Sequence, residues 1–67
     1  MNKDWHKIYT TSQAYKAEIV RQVLADHGIE AVILNQQDSS YRFGEIQVYV
    51  HGQHADEARA IVITNEL

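Results

Sequence analysis

The stretch "EIQVYVH", residues 45–51, alternates apolar side chains with mostly polar ones at a period of two residues. This period is typical of a β-strand with one buried face, because successive side chains of a strand point to opposite sides of the sheet. We therefore expect Ile46, Val48 and Val50 to face the core. Tyr49 is expected on the other side, so the pattern predicts a sheet whose outer face carries an aromatic residue.

The segments that precede this strand predict two more strands and a helix. The stretches "WHKIYT", residues 5–10, and "IEAVILN", residues 29–35, are rich in aromatic and β-branched residues, which favour strands. A helix is predicted between them, with Thr11 or Ser12 as its N-cap and Gly28 as the left-handed residue after its end. Its core-facing stripe consists of Ala17, Val20, Val23 and Leu24.

A second helix is predicted after the central strand, from about Gln53 to Asn65. Asp56 and Glu57 fall in its first turn, where the helix dipole favours negative charge. Its apolar stripe consists of Ala55, Ala58, Ile61 and Val62. This stripe predicts that the helix packs on the sheet through one side.

The order strand, helix, strand, strand, helix predicts an α+β fold in a single domain, residues 1–67. A right-handed crossover makes the first two strands parallel, and the third strand then fits antiparallel between them. The expected architecture is a two-layer βαββα ferredoxin-like sandwich, with a three-stranded sheet of order 1-3-2 and both helices on one face. The first strand would keep an open edge, and one sheet face would lack a cover.

The uncovered face is the predicted interface. We expect Trp5, Tyr9 and Tyr49 on it, together with either Val32 and Leu34 or Ala31 and Ile33. An apolar patch of this kind usually marks an interface, although ordinary amphipathic scatter is the simpler explanation. A chain of this length buries only about 60% of its unfolded surface, and it has no cysteine for a disulfide. We therefore predict a homodimer.

Tyr15 and Ile19 lie one turn apart on the first predicted helix, outside its core stripe. Residues at this spacing are neighbours on a helix surface. We expect them to extend the core at its margin, and contact with a partner is the alternative.

The stretch "NQQDSSYRFGE", residues 35–45, is longer than a minimal turn. Its hydroxyls and guanidinium could hold an anion, whereas the alternative is a structural turn with Asp38 paired to Arg42. An uninterrupted third strand would place Tyr41 and Phe43 on the uncovered face, whereas a bulge at Gly44 would turn them into the core. The candidate ligand or partner-binding residues are Asp38, Ser39, Ser40, Tyr41, Arg42 and Phe43.

The composition points to a soluble cytoplasmic protein. The chain has no cysteine, and its longest aliphatic run, "AVIL" at residues 31–34, is too short to cross a bilayer. Six basic against nine acidic residues give a net charge of −3, which disfavours DNA because phosphate neutralisation dominates nucleic-acid affinity. We expect neither DNA nor a membrane as a partner.

No catalytic residue, cofactor or metal site is predicted. His51 and His54, with Asp56 nearby, are a weak metal pattern because a clear third ligand is missing. No motif places a histidine beside Ser39 or Ser40 for nucleophilic catalysis. The sequence therefore predicts a protein that is not an enzyme.

Two long stretches, "KIYTTSQAYKAEIVRQVLADHGIEAVILN" and "FGEIQVYVHGQHADEARAIV", resemble a family of small prokaryotic proteins labelled as signal-transducing and of unknown biochemical role. The resemblance implies a ferredoxin-like fold akin to the nitrogen-regulatory PII proteins. It supplies no catalytic residues. We expect a binding or regulatory module that recognises a protein or small ligand through the uncovered face and the loop at residues 36–44.

The alternative function is single-stranded RNA binding in the manner of an RRM. Tyr9 and Tyr49, on adjacent strands of an open sheet, would stack on bases. The acidic balance of the chain and the absence of a basic, glycine-containing RNP1 pattern count against it.

Overall fold

A computed structural model describes residues 4–35 and 45–67 of the chain. Its elements are β1 (Trp5–Thr11), α1 (Ala14–Asp26), β2 (Ala31–Asn35), β3 (Ile46–His51), a 3-10 turn (Gly52–His54) and α2 (Ala55–Thr64). The sheet has the order β1-β3-β2, and both outer strands run antiparallel to β3. The predicted α+β architecture, a ferredoxin-like βαββα arrangement, is confirmed.

Both helices pack on the same face of the sheet. Ile46, Val48 and Val50 of β3 are fully buried, as their alternation predicted. They form one cluster with buried residues of α1, of α2 and of the segment before β2. The other members are Ala17, Val20, Leu24, Ile29, Ala55, Ala58 and Ile61. One side of each helix thus supplies the core, and the opposite face of the sheet lies outside it.

A β-bulge at Ile8 changes which way the second half of β1 faces. Before the bulge Lys7 lies opposite Tyr49, whereas after it Tyr9 lies opposite Val48. A bulge places one extra residue in a strand and so shifts the alternation by one position. Tyr9 therefore faces the helices, and the prediction that it shares the outer face with Tyr49 was wrong, because that prediction assumed an uninterrupted strand.

Tyr9 is held on the helix side by packing and by a hydrogen bond. Its ring packs against the core cluster, and its hydroxyl donates to the main-chain oxygen of Leu67 at 3.0 Å. We expect Tyr9→Phe to lower the free energy of unfolding by about 1 kcal/mol, the usual loss for one partly buried hydrogen bond.

Urea unfolding followed by circular dichroism measures this loss. Tyr15→Phe is the matched control, because Tyr15 is 60% exposed and its hydroxyl bonds to no residue that the structure describes. Equal stability of Tyr9→Phe and the wild type would contradict a stabilising hydrogen bond from Tyr9 to Leu67.

The helix α1 begins later than predicted. Gln13 is the N-cap and no side chain caps the helix start. Thr11, one of the two predicted caps, remains in β1, and its Oγ1 accepts a hydrogen bond from the Gln13 amide at 3.1 Å. The hydroxyl thus stabilises the turn between β1 and α1 instead of the first helical turn.

Both helices end in a Schellman motif, in which a left-handed residue reverses the chain. After α1 that residue is Gly28, with a φ of 77°, as predicted. Its amide donates to Ala25 at 2.9 Å, and the Ile29 amide donates to Leu24 at 2.9 Å. Leu24 and Ile29 are both buried, which gives the motif its usual hydrophobic contact.

The end of α2 repeats this geometry without a glycine. Glu66 has a φ of 55°, and its amide donates to Ile63 at 3.1 Å. The Leu67 amide donates to Val62 at 3.0 Å, and both side chains pack against the core. Among the described non-glycine residues, Glu66 is the one with a positive φ, so this helix end carries backbone strain.

Within the described part of the chain, neither helix is both long enough and apolar enough to cross a membrane.

Candidate functional site

The side of the sheet that faces away from the helices is called the open face here. Its residues follow from the pairing register of the three strands. They are Trp5, Lys7, Thr10, Val32, Leu34, Gln47, Tyr49 and His51. Within residues 4–35 and 45–67, no helix or strand covers this face.

The β2 side of the open face is aliphatic. Val32 lies opposite Tyr49 and Leu34 opposite Gln47, so the register selects this pair from the two that the sequence allowed. Ala31 and Ile33 point to the helices instead. Val32 and Leu34 are half-buried and give this edge of the face an apolar surface.

The β1 side of the open face ends in an aromatic stack. Trp5 lies directly opposite His51, and the centroids of their rings are 4.1 Å apart with the ring planes inclined by 30°. Both side chains are half-buried. The predicted position of Trp5 on the uncovered face is confirmed, and His51 adds an aromatic ring whose contact the sequence did not reveal.

The centre of the open face holds a hydrogen-bonded pair on β3. The Tyr49 hydroxyl donates to Oε1 of Gln47 at 2.8 Å. Gln47 is only 9% exposed, although it lies on the side of the sheet that no described element covers. The predicted position of Tyr49 is confirmed, and the hydrogen bond ties its ring to a neighbouring side chain of the same strand.

The open face thus combines a fixed aromatic centre and an aromatic end with an aliphatic edge. Lys7 and Thr10 are its exposed polar residues on β1. Side chains of this kind supply contact area and a few hydrogen bonds, which suits a binding surface.

Tyr9 and Tyr49 lie on opposite sides of the sheet. Tyr9 is opposite Val48 on the helix side, whereas Tyr49 is opposite Lys7 on the open face. The two rings predicted to stack on RNA bases therefore do not share a surface. The bulge at Ile8 is the physical reason, because it turns Tyr9 away from the face that Trp5 and Tyr49 share.

A second surface lies on the helix side and is called the helix groove here. It is an open depression of about 160 Å³, lined by Tyr9, Tyr15, Lys16, Ile19, Glu66 and Leu67. Tyr15 is 60% and Ile19 45% exposed. The prediction that these two residues extend the core was wrong, because both side chains are exposed and neither packs against the core cluster.

The histidines do not converge on a metal position. His51 stacks on Trp5, whereas Nε2 of His54 lies 3.3 Å from Nε2 of Gln53. In the described parts of the chain, no three histidine, aspartate or glutamate side chains come close enough together to hold a metal ion.

A larger depression opens where β1 begins and β3 ends. Its lining residues are Asp4, His6, His51, Gly52 and Gln53, and its volume is about 460 Å³. Gly52 leaves room for the His6 ring, because a Cβ at this glycine would lie 2.7 Å from Nε2 of His6. This depression could not be predicted from the sequence, since it depends on the register of the two strands.

The predicted loop residues Asp38, Ser39, Ser40, Tyr41, Arg42 and Phe43 lie outside the described residues, as does Gly44. Their role as ligand or partner-binding residues stays a prediction.

Comparison with known proteins identifies a family. No curated protein and no solved structure matches the chain significantly. Residues 5–66 match the model of a family described as "Putative prokaryotic signal transducing protein", and this range includes every strand and helix from β1 to α2. The chain therefore belongs to this family of prokaryotic proteins, whose description is a signal-transducing role.

Proposed function

We propose that this chain is a non-catalytic regulatory module of the cytoplasm that acts as a homodimer and recognises a protein partner through its open face. The observation that carries the proposal is the open face itself, where Trp5, Tyr49 and Leu34 lie on a side of the sheet that no described element covers. A binding role agrees with the signal-transducing description of the family. The absence of cysteine suits a reducing compartment.

A protein fits this surface better than a small molecule. Small-molecule sites are concave and surround most of their ligand, whereas the face of a three-stranded sheet is broad. Tryptophan and tyrosine are the residues that most often dominate the energy of protein interfaces. Trp5 and Tyr49 are both present, and each is held by a neighbour on the same face.

The side chains of the open face also support binding over catalysis. Its aromatic and aliphatic residues provide contact area, and the Tyr49 hydroxyl is engaged by Gln47. Rigid aromatic side chains lose little conformational entropy when a partner covers them, so most of their contact energy is retained as affinity.

Capture from a native cytoplasmic extract tests this function. Immobilised wild type is compared with a Trp5→Ala, Tyr49→Ala double variant, and bound proteins are quantified by mass spectrometry. Loss of two anchor residues is expected to weaken binding at least tenfold, because each typically costs more than about 1 kcal/mol. The control is Ile63→Ala, since Ile63 is 76% exposed on α2, on the other side of the sheet.

We expect the same protein to be enriched on the wild type and on Ile63→Ala, and to be lost from the double variant. Circular dichroism of the three proteins shows that each is folded. Equal capture by the folded double variant would contradict the proposal, as would the absence of any enriched protein.

A further inference from the structure

The exposed apolar surface of the helix layer is concentrated at one place on α1. Three large apolar side chains are exposed in the described part of the chain: Tyr15, Ile19 and Ile63. Ile63 stands alone on α2, whereas Tyr15 and Ile19 are neighbours at a spacing of four residues on α1. Single exposed apolar residues are ordinary, but adjacent ones indicate a contact surface.

The helix groove continues this surface next to α1. Tyr9 and Leu67 line it, and the hydrogen bond from the Tyr9 hydroxyl to the Leu67 main chain joins the two at 3.0 Å. Both side chains also pack against the core cluster. The groove is thus formed before any partner binds.

Two opposite charges lie in the lining of the same groove. Lys16 belongs to α1 and Glu66 to the segment after α2. Neither forms an ion pair with another residue in the part of the chain that the structure describes. A partner of one charge sign would satisfy only one of them.

A second copy of the same chain satisfies both charges. In a two-fold interface, a contact from residue i to residue j is always repeated from j to i. In such a dimer Lys16 of one copy would face Glu66 of the other, twice, around an apolar centre formed by Tyr15 and Ile19.

The backbone conformation of Glu66 supports a function of its side chain in the interface. A non-glycine residue with φ near 55° is unfavourable, and a glycine would satisfy the same Schellman motif without strain. Strained residues persist where the surrounding structure or a function requires them. A glycine at this position would relieve the strain, but it would also remove the acidic side chain from the groove.

We infer that the chain dimerises through α1 and the helix groove, with Tyr15 and Ile19 at the two-fold axis and Lys16 facing Glu66 of the second copy. This interface lies on the helix layer, so the open face of each subunit stays free. The inference deepens the proposed function, because such a dimer presents two open faces and can bind a partner bivalently.

Sedimentation equilibrium up to high micromolar concentration measures the association. The wild type is expected to be a dimer, and a Tyr15→Ala, Ile19→Ala variant is expected to be a monomer at the same concentration. Ile63→Ala is the control and should remain a dimer. A monomeric wild type would overturn the inference.

Charge reversal tests the pairing of the two copies. Lys16→Glu and Glu66→Lys should each weaken the dimer roughly tenfold, because two symmetry-related attractions become repulsions. The variant that carries both changes restores opposite charges and should dimerise nearly as well as the wild type. A double variant that is weaker than either single variant would contradict the facing of Lys16 and Glu66.

The open-face variant separates this inference from the proposed function. Trp5→Ala, Tyr49→Ala should still dimerise, although it loses the captured partner. Dissociation of this variant, with a stable dimer for Tyr15→Ala, Ile19→Ala, would place the second copy on the open face and overturn the inference.

Discussion

Leu24→Ala is expected to lower the free energy of unfolding by about 3–5 kcal/mol, the upper range for a leucine removed from a packed core. Leu24 is fully buried on α1 and belongs to the Schellman motif with Ile29. A domain of this size has a total stability of only about 3–10 kcal/mol. At the lower end of this range the variant would be about half unfolded without denaturant, and at the upper end it would remain folded with a much lower urea midpoint.

Urea unfolding followed by circular dichroism gives the change in free energy. Leu34→Ala is the matched control, because it removes the same atoms from a half-buried position on the open face. We expect it to cost only about 1 kcal/mol, since less apolar area is lost from a buried environment. Similar losses in the two variants would show that the helix side is not the main core.

Gly28→Ala and Glu66→Gly should change stability in opposite directions. Gly28 has a φ of 77°, and a Cβ there would meet no atom within 4 Å. The cost of alanine is therefore conformational, about 1–2 kcal/mol. Glu66→Gly relieves the same conformation at the end of α2 and should raise stability by about 0.5–1 kcal/mol.

The urea concentration at the midpoint of unfolding is compared between each variant and the wild type. The comparison requires that the free energy of unfolding depends on urea with the same slope in all three proteins. Because both positions occupy the same place in a Schellman motif, each serves as the control of the other. A shift of the same sign in both variants would contradict the left-handed backbone at one of them.

The main elements could be predicted because their signals are local. The alternation of Ile46, Val48 and Val50 identified the central strand, and Gly28 marked the end of α1. Short strands, a right-handed crossover and a two-layer core leave few arrangements, and the order β1-β3-β2 is one of them.

The orientation of β1 could not be predicted because the bulge at Ile8 has no local signal. No glycine or proline interrupts "WHKIYT", and either alternation fits its residues. The bulge depends on how β1 pairs with β3. Tyr9 was assigned to the wrong face for this reason, while Trp5, before the bulge, was assigned correctly.

The surface contacts were predicted in part. The outward position of Tyr49 followed from the alternation of β3, and its hydrogen bond to Gln47 joins residues two apart on one face. The Trp5–His51 stack could not be predicted, since it requires the register of two strands. The exposure of Tyr15 and Ile19 depends on the path of α1 over the sheet, which a helical period does not give.

In the proposed dimer each subunit uses two different surfaces, with the helix groove against a second copy and the open face for a partner. Isotope-filtered NOE spectroscopy on a mixture of labelled and unlabelled chains tests it most directly, because it detects only contacts between subunits. We predict intersubunit signals from Tyr15 and Ile19 and none from Trp5 or Tyr49. Intersubunit signals from Trp5 and Tyr49, or none from any residue, would contradict the account.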